Sequence, residues 1–423
     1  MDIEEKIDLL MALAADDREG MPGRDATLPP RLRNATRAGA LRPLNIRYVR
    51  PGATGPKRAL LRILMTNACS FNCHYCPMRR DRELPRTLLK PQEMVRIFLD
   101  AHRRGWCTGL FITTGIPGRP VKVMDDLIEV LELLRVTHQY SGYIHVKIVP
   151  GADDAQIERI TALATRVSVN LETPCGETLS AIAPEKKFEQ TLVTLQRVQT
   201  RVVQAQREER AGRPRNPLLP GGVAGMTTQF VVGVTDDSDR TIMTRASSLY
   251  ASGGMHHAHF SAFRPIRDTP LEQRAAAPAL REHRLYQADH LVRTYGFAHA
   301  EIVFDQRDHL PLAYDPKVAW ALAHREQFPV DIRTASRGTL MRVPGIGPIV
   351  ADRIVQSRRS TPPRNVADLR KLGAIVSRAA GFLTIAGRRL VPDRWIEQLS
   401  LWSPDDDVGA APRIYEFSPG TFR

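Results

Sequence analysis

The apolar positions of this chain recur with two alternating periods. Between residues 60 and 263, short apolar or β-branched runs alternate with segments whose apolar residues return every three or four positions. The runs Leu60–Thr66, Gly109–Gly115, Tyr143–Val149, Val167–Leu171, Thr227–Gly233 and His257–Phe263 predict strands. The segments Pro91–Arg104, Val123–Val136, Asp153–Thr165, Glu185–Glu209 and Asp239–Ala251 predict helices between them. Pro91 suits a first helical turn, and the acidic start of Asp153–Thr165 suits a helix N-terminus. Strand and helix alternating in this way imply βαβ units and a parallel sheet, either an open partial barrel or a flat doubly wound sheet. In both, functional residues gather at the carboxyl ends of the strands.

The flanking regions pattern differently. Residues 1–20 read as a short amphipathic helix with Ile7, Leu10, Met11 and Leu13 on its apolar face, and 21–58 as an irregular, basic lead-in rich in Gly, Pro and Arg. Residues 266–330 read as a connector with helices at Glu282–Thr294 and Lys317–Arg325. In 331–390 a helix over Thr334–Arg342 meets the apolar turn Val343-Pro344-Gly345-Ile346-Gly347-Pro348, and a second helix runs over Ile349–Arg359. Asn365–Gly373 and Ala374–Ala386 read as a degenerate second copy whose turn lacks the Gly-x-Gly. The expected divisions are 1–58, a barrel over 59–265, a connector over 266–330, an all-α module over 331–390 and a tail over 391–423.

Charge changes this picture. The chain has 423 residues, 43% of them hydrophobic, enough for the cores of two or three domains, and a net charge of +14. Such a balance points to a polyanionic partner. Residues 331–390 alone hold twelve Lys/Arg against three Asp/Glu. The start, Met1-Asp2-Ile3-Glu4-Glu5-Lys6, is acidic and helical rather than signal-like, and no apolar run approaches a membrane span. A cytoplasmic protein without membrane contact is expected.

The candidate chemistry lies just after the first strand, in Cys69-Ser70-Phe71-Asn72-Cys73-His74-Tyr75-Cys76. Three thiolates on one loop can hold an iron–sulfur cube and leave one iron open to an outside ligand, whereas four would saturate it. A zinc site favours paired C-x2-C with a fourth ligand, and His74 is wedged between two cysteines. Five cysteines with no pairing pattern argue against a disulfide framework. Cys107 and Cys175 read as small buried hydrophobes, with Cys175 a minor candidate for substrate chemistry at a strand end. The spacing, the preceding strand and the aromatic Tyr75 resemble the radical SAM superfamily. That resemblance implies a [4Fe–4S] cluster on Cys69, Cys73 and Cys76 whose open iron is chelated by S-adenosylmethionine (SAM), and a partial (β/α)6 barrel.

The cosubstrate would then lie across the strand ends. By position, Thr113, Thr114 and Gly115 stand where such enzymes bind the methionine amine, although the usual Gly-Gly-Glu is absent. Glu172 is placed to accept hydrogen bonds from the ribose hydroxyls or that amine, being acceptor-only and bidentate. Asn170, two residues earlier, points to the same side of its strand. Gln229, Gly233 and Asp237 line the fifth strand and its exit loop, where Gly233 would admit adenine close to the backbone. His257 and His259 share a face of the sixth strand and suit a polar, lumen-facing role better than a metal site. Arg264 and Arg267 read equally as phosphate ligands or as solvated side chains.

The turn at 343–348 resembles the helix-hairpin-helix motif of DNA repair and recombination proteins. The physics is sequence-blind: glycines admit the phosphate backbone, and N–H groups at a helix N-terminus point at its oxygens. Val343, Gly345, Ile346 and Gly347 would form the hairpin, with Arg342, Arg353, Arg358 and Arg359 adding charge. A packing or protein-interaction module is the alternative. The two halves together resemble the bacterial DNA modification/repair radical SAM proteins. The resemblance runs through Thr66-Asn67-Ala68-Cys69, Ser168-Val169-Asn170-Leu171-Glu172, Thr228-Gln229-Phe230-Val231-Val232-Gly233 and Phe328-Pro329-Val330-Asp331. Two departures from that family are Thr-Thr-Gly at 113–115 and Asp236-Asp237 after the fifth strand. The resemblance implies a 5′-deoxyadenosyl radical acting on DNA, electrons from a flavodoxin or ferredoxin, and a uracil-DNA-glycosylase-like partner. The alternatives are an enzyme modifying RNA such as tRNA, and a DNA-binding scaffold with a structural or redox-sensing cluster.

Overall fold

The computed structural model describes residues 3–14, 46–49, 58–212, 219 and 222–391. The expectations for the basic lead-in and for the C-terminal tail fall largely outside the described residues. The chain's contacts divide it into one unit of Met1–Asp237 with Ser248–Ala279 and a second of Ser238–Ser247 with Leu280–Arg423. Residues 280–330, expected to be a connector, thus belong to the same unit as the hairpin module.

The first unit opens with α1 (Ile3–Ala14) and β1 (Ile46–Val49), then β2 (Arg58–Leu64), α2 (Pro91–Arg103), β3 (Gly109–Thr113), α3 (Pro120–Glu132) and β4 (Tyr143–Lys147). It continues through α4 (Asp154–Leu163), β5 (Arg166–Ser168), α5 (Gly176–Ile182), α6 (Phe188–Arg210), β6 (Met226–Val232), α7 (Asp239–Ala251) and β7 (Met255–Ala262); the first half of α7 falls in the second unit. Strands β2 to β7 run parallel in chain order and form the half-barrel. β1 adds an antiparallel edge to β2, from Ile46 opposite Leu61 to Val49 opposite Arg58. It was not expected, because four residues set among Arg and Pro carry no readable period. The seven-residue α5 was missed for the same reason.

Alternation along the strands decides what each face buries. Leu61, Ile63, Leu110, Ile112, Ile144 and Val146 occupy one face and are fully buried, as are Met94, Phe98, Met124, Leu127 and Ile160 on the helices. Each such side chain contributes about 2 kcal/mol of hydrophobic stabilisation. The opposite face is polar. Arg62, Phe111, His145 and Arg166 stand side by side in register across β2 to β5. Thr227 and Gln229 of β6 face His257 and His259 of β7 in the same way.

The second unit contains α8 (Ala279–Tyr295), α9 (Pro316–Ala323), β8 (Val330–Asp331), α10 (Arg337–Arg342), α11 (Pro348–Ser357), α12 (Val366–Lys371), α13 (Val376–Ala379), β9 (Leu383–Ile385) and β10 (Arg388–Arg389). Asp315 caps α9 by accepting the N–H groups of Lys317 and Val318 at 3.2 and 3.3 Å. The unit is mainly helical, but β8, β9 and β10 form a small sheet. The helix expected over Ala374–Ala386 therefore gives way to a strand, where Leu383-Thr384-Ile385 supplies β-prone residues next to the short α13. The two hairpins pack on one another: Ile375 N–H donates to Gly345 C=O at 3.0 Å. Gly345 and Gly373 sit at φ +80° and +99°, so the second copy keeps one left-handed glycine.

Candidate active site and nucleic-acid interface

Cys69, Cys73 and Cys76 lie on the loop between β2 and α2, and backbone bonds pin that loop at several points. Gly115 N–H donates to Thr66 C=O, Ser70 N–H to Ile116 C=O and His74 N–H to Ile182 C=O, at 2.8, 2.8 and 2.7 Å. Asn72 N–H donates to the Glu185 carboxylate at 3.0 Å. Arg86 closes the loop by donating to the carbonyls of Asn67, Met78, Arg79 and Arg82 at 2.6 to 2.9 Å. A Cβ on Gly115 would stand 2.2 Å from Ala68 C=O, so only glycine lets the β3 exit loop approach the cysteines this closely. Thr113 C=O accepts from Met65 N–H at 2.9 Å and Thr114 Oγ1 donates to Gly115 C=O at 2.7 Å.

All five cysteines are free thiols. Burial pushes the Cys73 thiol up to about 11, partly opposed by Lys186, and burial with the neighbouring Cys73 pushes Cys76 to about 12. Cys69 and Cys73 both act on Cys76, so the three form one electrostatic group. Phe71 N–H points at Cys69 Sγ at 3.5 Å. Among the described residues no three His, Cys, Asp or Glu side chains converge on a single ion. A cubane cluster does not require convergence, because each thiolate takes its own iron and the thiols stand around the cube. Three electrostatically interacting thiols on a pinned loop, with a backbone N–H aimed at one sulfur, fit that group.

Beside Cys73 lies a buried ion pair that no motif announced. Lys186 Nζ is 2.9 Å from Glu172 Oε1 and 3.3 Å from Tyr75 Oη. Burial works against the lysine charge, but Glu172 and Tyr75 more than restore it and hold its pKa well above the ordinary value. Tyr75 is raised by burial and then by Glu172. Glu172 itself adopts φ +69°, with its N–H on Gln229 C=O and its C=O on Val231 N–H, both at 2.8 Å. A non-glycine residue in this region costs about 1 kcal/mol or more and marks a position held by its surroundings.

The remaining predicted SAM residues fall into two places. Asn170 Nδ2 donates to Gln229 Oε1 at 2.9 Å, and Gln229 Nε2 donates to Ser261 Oγ at 3.0 Å, a chain of side chains across three strands. Gly233, at φ +80°, offers its carbonyl to Arg274 Nε at 3.0 Å, and Asp237 accepts from Thr235 Oγ1 at 2.5 Å. Cys107 is buried, Cys175 shares its Sγ with Thr178 Oγ1 at 3.2 Å, and Arg264 and Arg267 are exposed.

In the second unit the hairpin residues divide by role. Val343 and Ile346 are buried and anchor the turn. A Cβ on Gly345 would lie 2.5 Å from Ile375 C=O, so that glycine serves the packing of hairpin on hairpin. Gly347 is the N-cap of α11, followed by Pro348, and no side chain caps the helix. Arg342 pairs with Glu301 at 2.7 Å and stacks 3.8 Å from the Phe297 ring centre. Arg358 donates to Ile332 and Ala335 C=O at 2.6 Å each, and Arg353 to Leu372 C=O at 3.2 Å. Those three side chains brace the unit. Arg359 is exposed, as are Arg364, Arg370 and Lys371, which sequence reasoning had not singled out.

Residues 63–202 match the family profile described as the radical SAM superfamily, and residues 326–383 match the helix-hairpin-helix motif. No curated protein matches the chain. Among solved structures it is similar to the FeFe-hydrogenase maturase HydG from Carboxydothermus hydrogenoformans, at 17% identity and a TM-score of 0.43 over 55% of this chain and 51% of that one. It is also similar to methylornithine synthase (PylB), at 13% identity and a TM-score of 0.42 over 54% and 60%. A third similar structure is the radical SAM methyltransferase TsrM from Kitasatospora setae, at 15% identity and a TM-score of 0.36 over 50% and 38%. The chain thus spans about half the length of HydG.

The chain carries a radical SAM domain in its half-barrel and a helix-hairpin-helix motif in its second unit. The domain it carries is that of a family of enzymes, and the family's cofactors are a [4Fe–4S] cluster and SAM. Among the described residues no helix is long and apolar enough to cross a membrane.

Proposed function

We propose that this radical SAM enzyme acts on DNA, in modification or repair. The observation that carries the substrate is α11. Its N-terminus opens on Gly347 and Pro348 with no side-chain cap, and the exposed Arg359, Arg364, Arg370 and Lys371 lie in the same module. Uncapped N–H groups at a helix start and the helix dipole favour a phosphate oxygen, and the module's exposed cations add a general attraction for a polyanion. The contacts are to backbone phosphate and carry no base preference.

In the half-barrel, Cys69, Cys73 and Cys76 hold the cluster. When bound, the reduced cluster and SAM supply a carbon-centred radical that abstracts hydrogen. Glu172 accepts hydrogen bonds from the ribose hydroxyls or methionine amine of SAM. Lys186 holds that carboxylate in place by donating to Oε1 at 2.9 Å. Thr113, Thr114, Gly115, Asn170, Gln229, Gly233 and Asp237 frame the cosubstrate at the strand ends. A nucleotide within a duplex must leave the stack to reach this site, at a cost of about a few kcal/mol. Electrons come from a flavodoxin or ferredoxin, and a uracil-DNA-glycosylase-like protein is a candidate partner.

The test is anaerobic. The reconstituted, reduced protein is given SAM, and 5′-deoxyadenosine is followed with and without duplex DNA, using Cys73→Ala as the control. Cysteine-dependent formation stimulated by DNA supports the reading. Tighter binding to tRNA than to matched duplex DNA moves the substrate to RNA. Iron without SAM cleavage leaves a DNA-binding scaffold.

A further inference from the structure

The barrel interior holds a set of side chains that SAM binding at the strand ends does not use. Arg62, Phe111, His145 and Arg166 form one lateral row, stacked as cation, ring and imidazole. Arg62 lies 4.6 Å from the Phe111 centroid, and the His145 ring is edge-on to Phe111 at 4.7 Å. Lys147 and Ser168 are paired in register one step toward the strand ends, and Ser168 pairs with Thr227. The basic groups are close enough to act on one another. Burial and then Arg166, His259, Arg62 and Lys147 hold the His145 imidazole well below its ordinary pKa, so it is neutral.

Buried polar atoms in this region lack partners. His145 Nε2, Ser168 Oγ and Thr227 Oγ1 are inaccessible and make no hydrogen bond in the structure, and neither does Arg166 Nε. Ser168 and Thr227 are 0% exposed, and His145 5%. An orphaned buried donor or acceptor costs about 1 to 3 kcal/mol, so a row of them implies a ligand that satisfies them together. Hydroxyls and Arg166 can donate, and the surrounding charge is positive. The acidic group at the strand ends, Glu172, is already paired with Lys186.

We propose that the lower half of the barrel lumen is an oxyanion site, in which Arg166, Ser168, Thr227 and His145 bind a phosphate-like group. Hydroxyl and guanidinium donors suit its oxygens, and neutral His145 can donate from Nε2 without adding a proton to the site. The group is either carried by the substrate or held as a free ion. The inference stands whether or not the substrate is a nucleic acid.

The experiment is calorimetric titration of the full-length protein with inorganic phosphate, a 2′-deoxynucleoside 5′-monophosphate and the parent nucleoside. Ser168→Ala and Thr227→Val delete orphaned hydroxyls at constant packing, so thermal stability without phosphate is expected to hold or rise. Phosphate affinity should fall several-fold in each, and roughly tenfold or more in Arg166→Gln, the equivalent of one lost charge-assisted bond. Lys122→Gln, on the exposed face of α3, should leave it unchanged. Tighter binding of the monophosphate than of both phosphate and nucleoside assigns the group to the substrate. Equal binding of phosphate and monophosphate assigns it to a resident ion. No phosphate binding, or binding that Arg166→Gln and Ser168→Ala leave intact, overturns the site and leaves these atoms to buried water.

Discussion

Lys186 Nζ reaches Glu172 Oε1 at 2.9 Å from a loop outside the sheet, while Glu172 holds a left-handed backbone at φ +69°. The pair joins the segment after α5 to the irregular end of β5. It also places one cation against a carboxylate, a phenol and the cluster loop.

Breaking that pair should cost more than removing it. Lys186→Met leaves a buried carboxylate alone and is expected to destabilise the first unit by about 3 kcal/mol or more. Lys186→Met with Glu172→Gln should recover a good part of that loss. Denaturant unfolding of the two single variants and the double variant measures the coupling; additive effects would show that the pair is not an energetic unit.

Gly115 tests how the cluster loop is held. In Gly115→Ala the new Cβ would stand 2.2 Å from the Ala68 carbonyl, and neither group is a flexible side-chain end. The loop must shift, so iron incorporation on reconstitution should drop sharply while far-UV circular dichroism stays near wild type. Cys107→Ala, remote from the loop, should retain full iron. Normal iron content in Gly115→Ala would mean that the cluster tolerates a displaced loop.

The two hairpin glycines should behave differently. Gly345→Ala meets Ile375 C=O at 2.5 Å and a left-handed φ, so it should destabilise the second unit by about 2 kcal/mol or more. Gly347 has φ −97°, and its Cβ would meet only the end of the Tyr295 side chain, with Oη at 3.1 Å. Gly347→Ala should therefore fold and, by crowding the α11 N-terminus, weaken DNA binding. Arg359→Gln should weaken binding uniformly across sequences and lower the salt slope by about 1. An unchanged salt slope would remove Arg359 from the phosphate contacts.

Lys317 makes the second unit pH-sensitive. Burial, with Arg378 adding, lowers its pKa from 10.5 to about 7, and its Nζ donates to Ile346 C=O at 2.6 Å. Between those values the unfolded chain holds a proton that the folded chain lacks, so stability rises with pH across that window and levels off above it. The slope is at most about 1.4 kcal/mol per pH unit. Hydrogen exchange of α9 and α11 amides, corrected for intrinsic rates, should show this slope in the wild type and lose it in Lys317→Met.

Much of the half-barrel was legible because its physics is local. A strand buried on both faces needs an apolar run, and a helix against it needs a recurring apolar stripe; both are written in order along residues 60–263. The cysteine triad was legible because chelation by one loop depends on short spacing. The Val343–Pro348 turn was legible because only glycine serves a left-handed hairpin. What the sequence could not carry were pairings between distant segments. β1 joins β2 through backbone bonds that no side-chain pattern encodes. Lys186 reads as one lysine among many until folding brings it to Glu172. Arg342 and Arg358 look like phosphate ligands until Glu301, Phe297 and backbone carbonyls claim them. The sequence alone thus determined the alternation of elements, the cluster loop and the hairpin, since each arises from residues close in the chain. Tertiary structure alone decided which charges are buried together and which remain free for a ligand, because the low dielectric that makes those pairings count exists only once distant strands have closed around them.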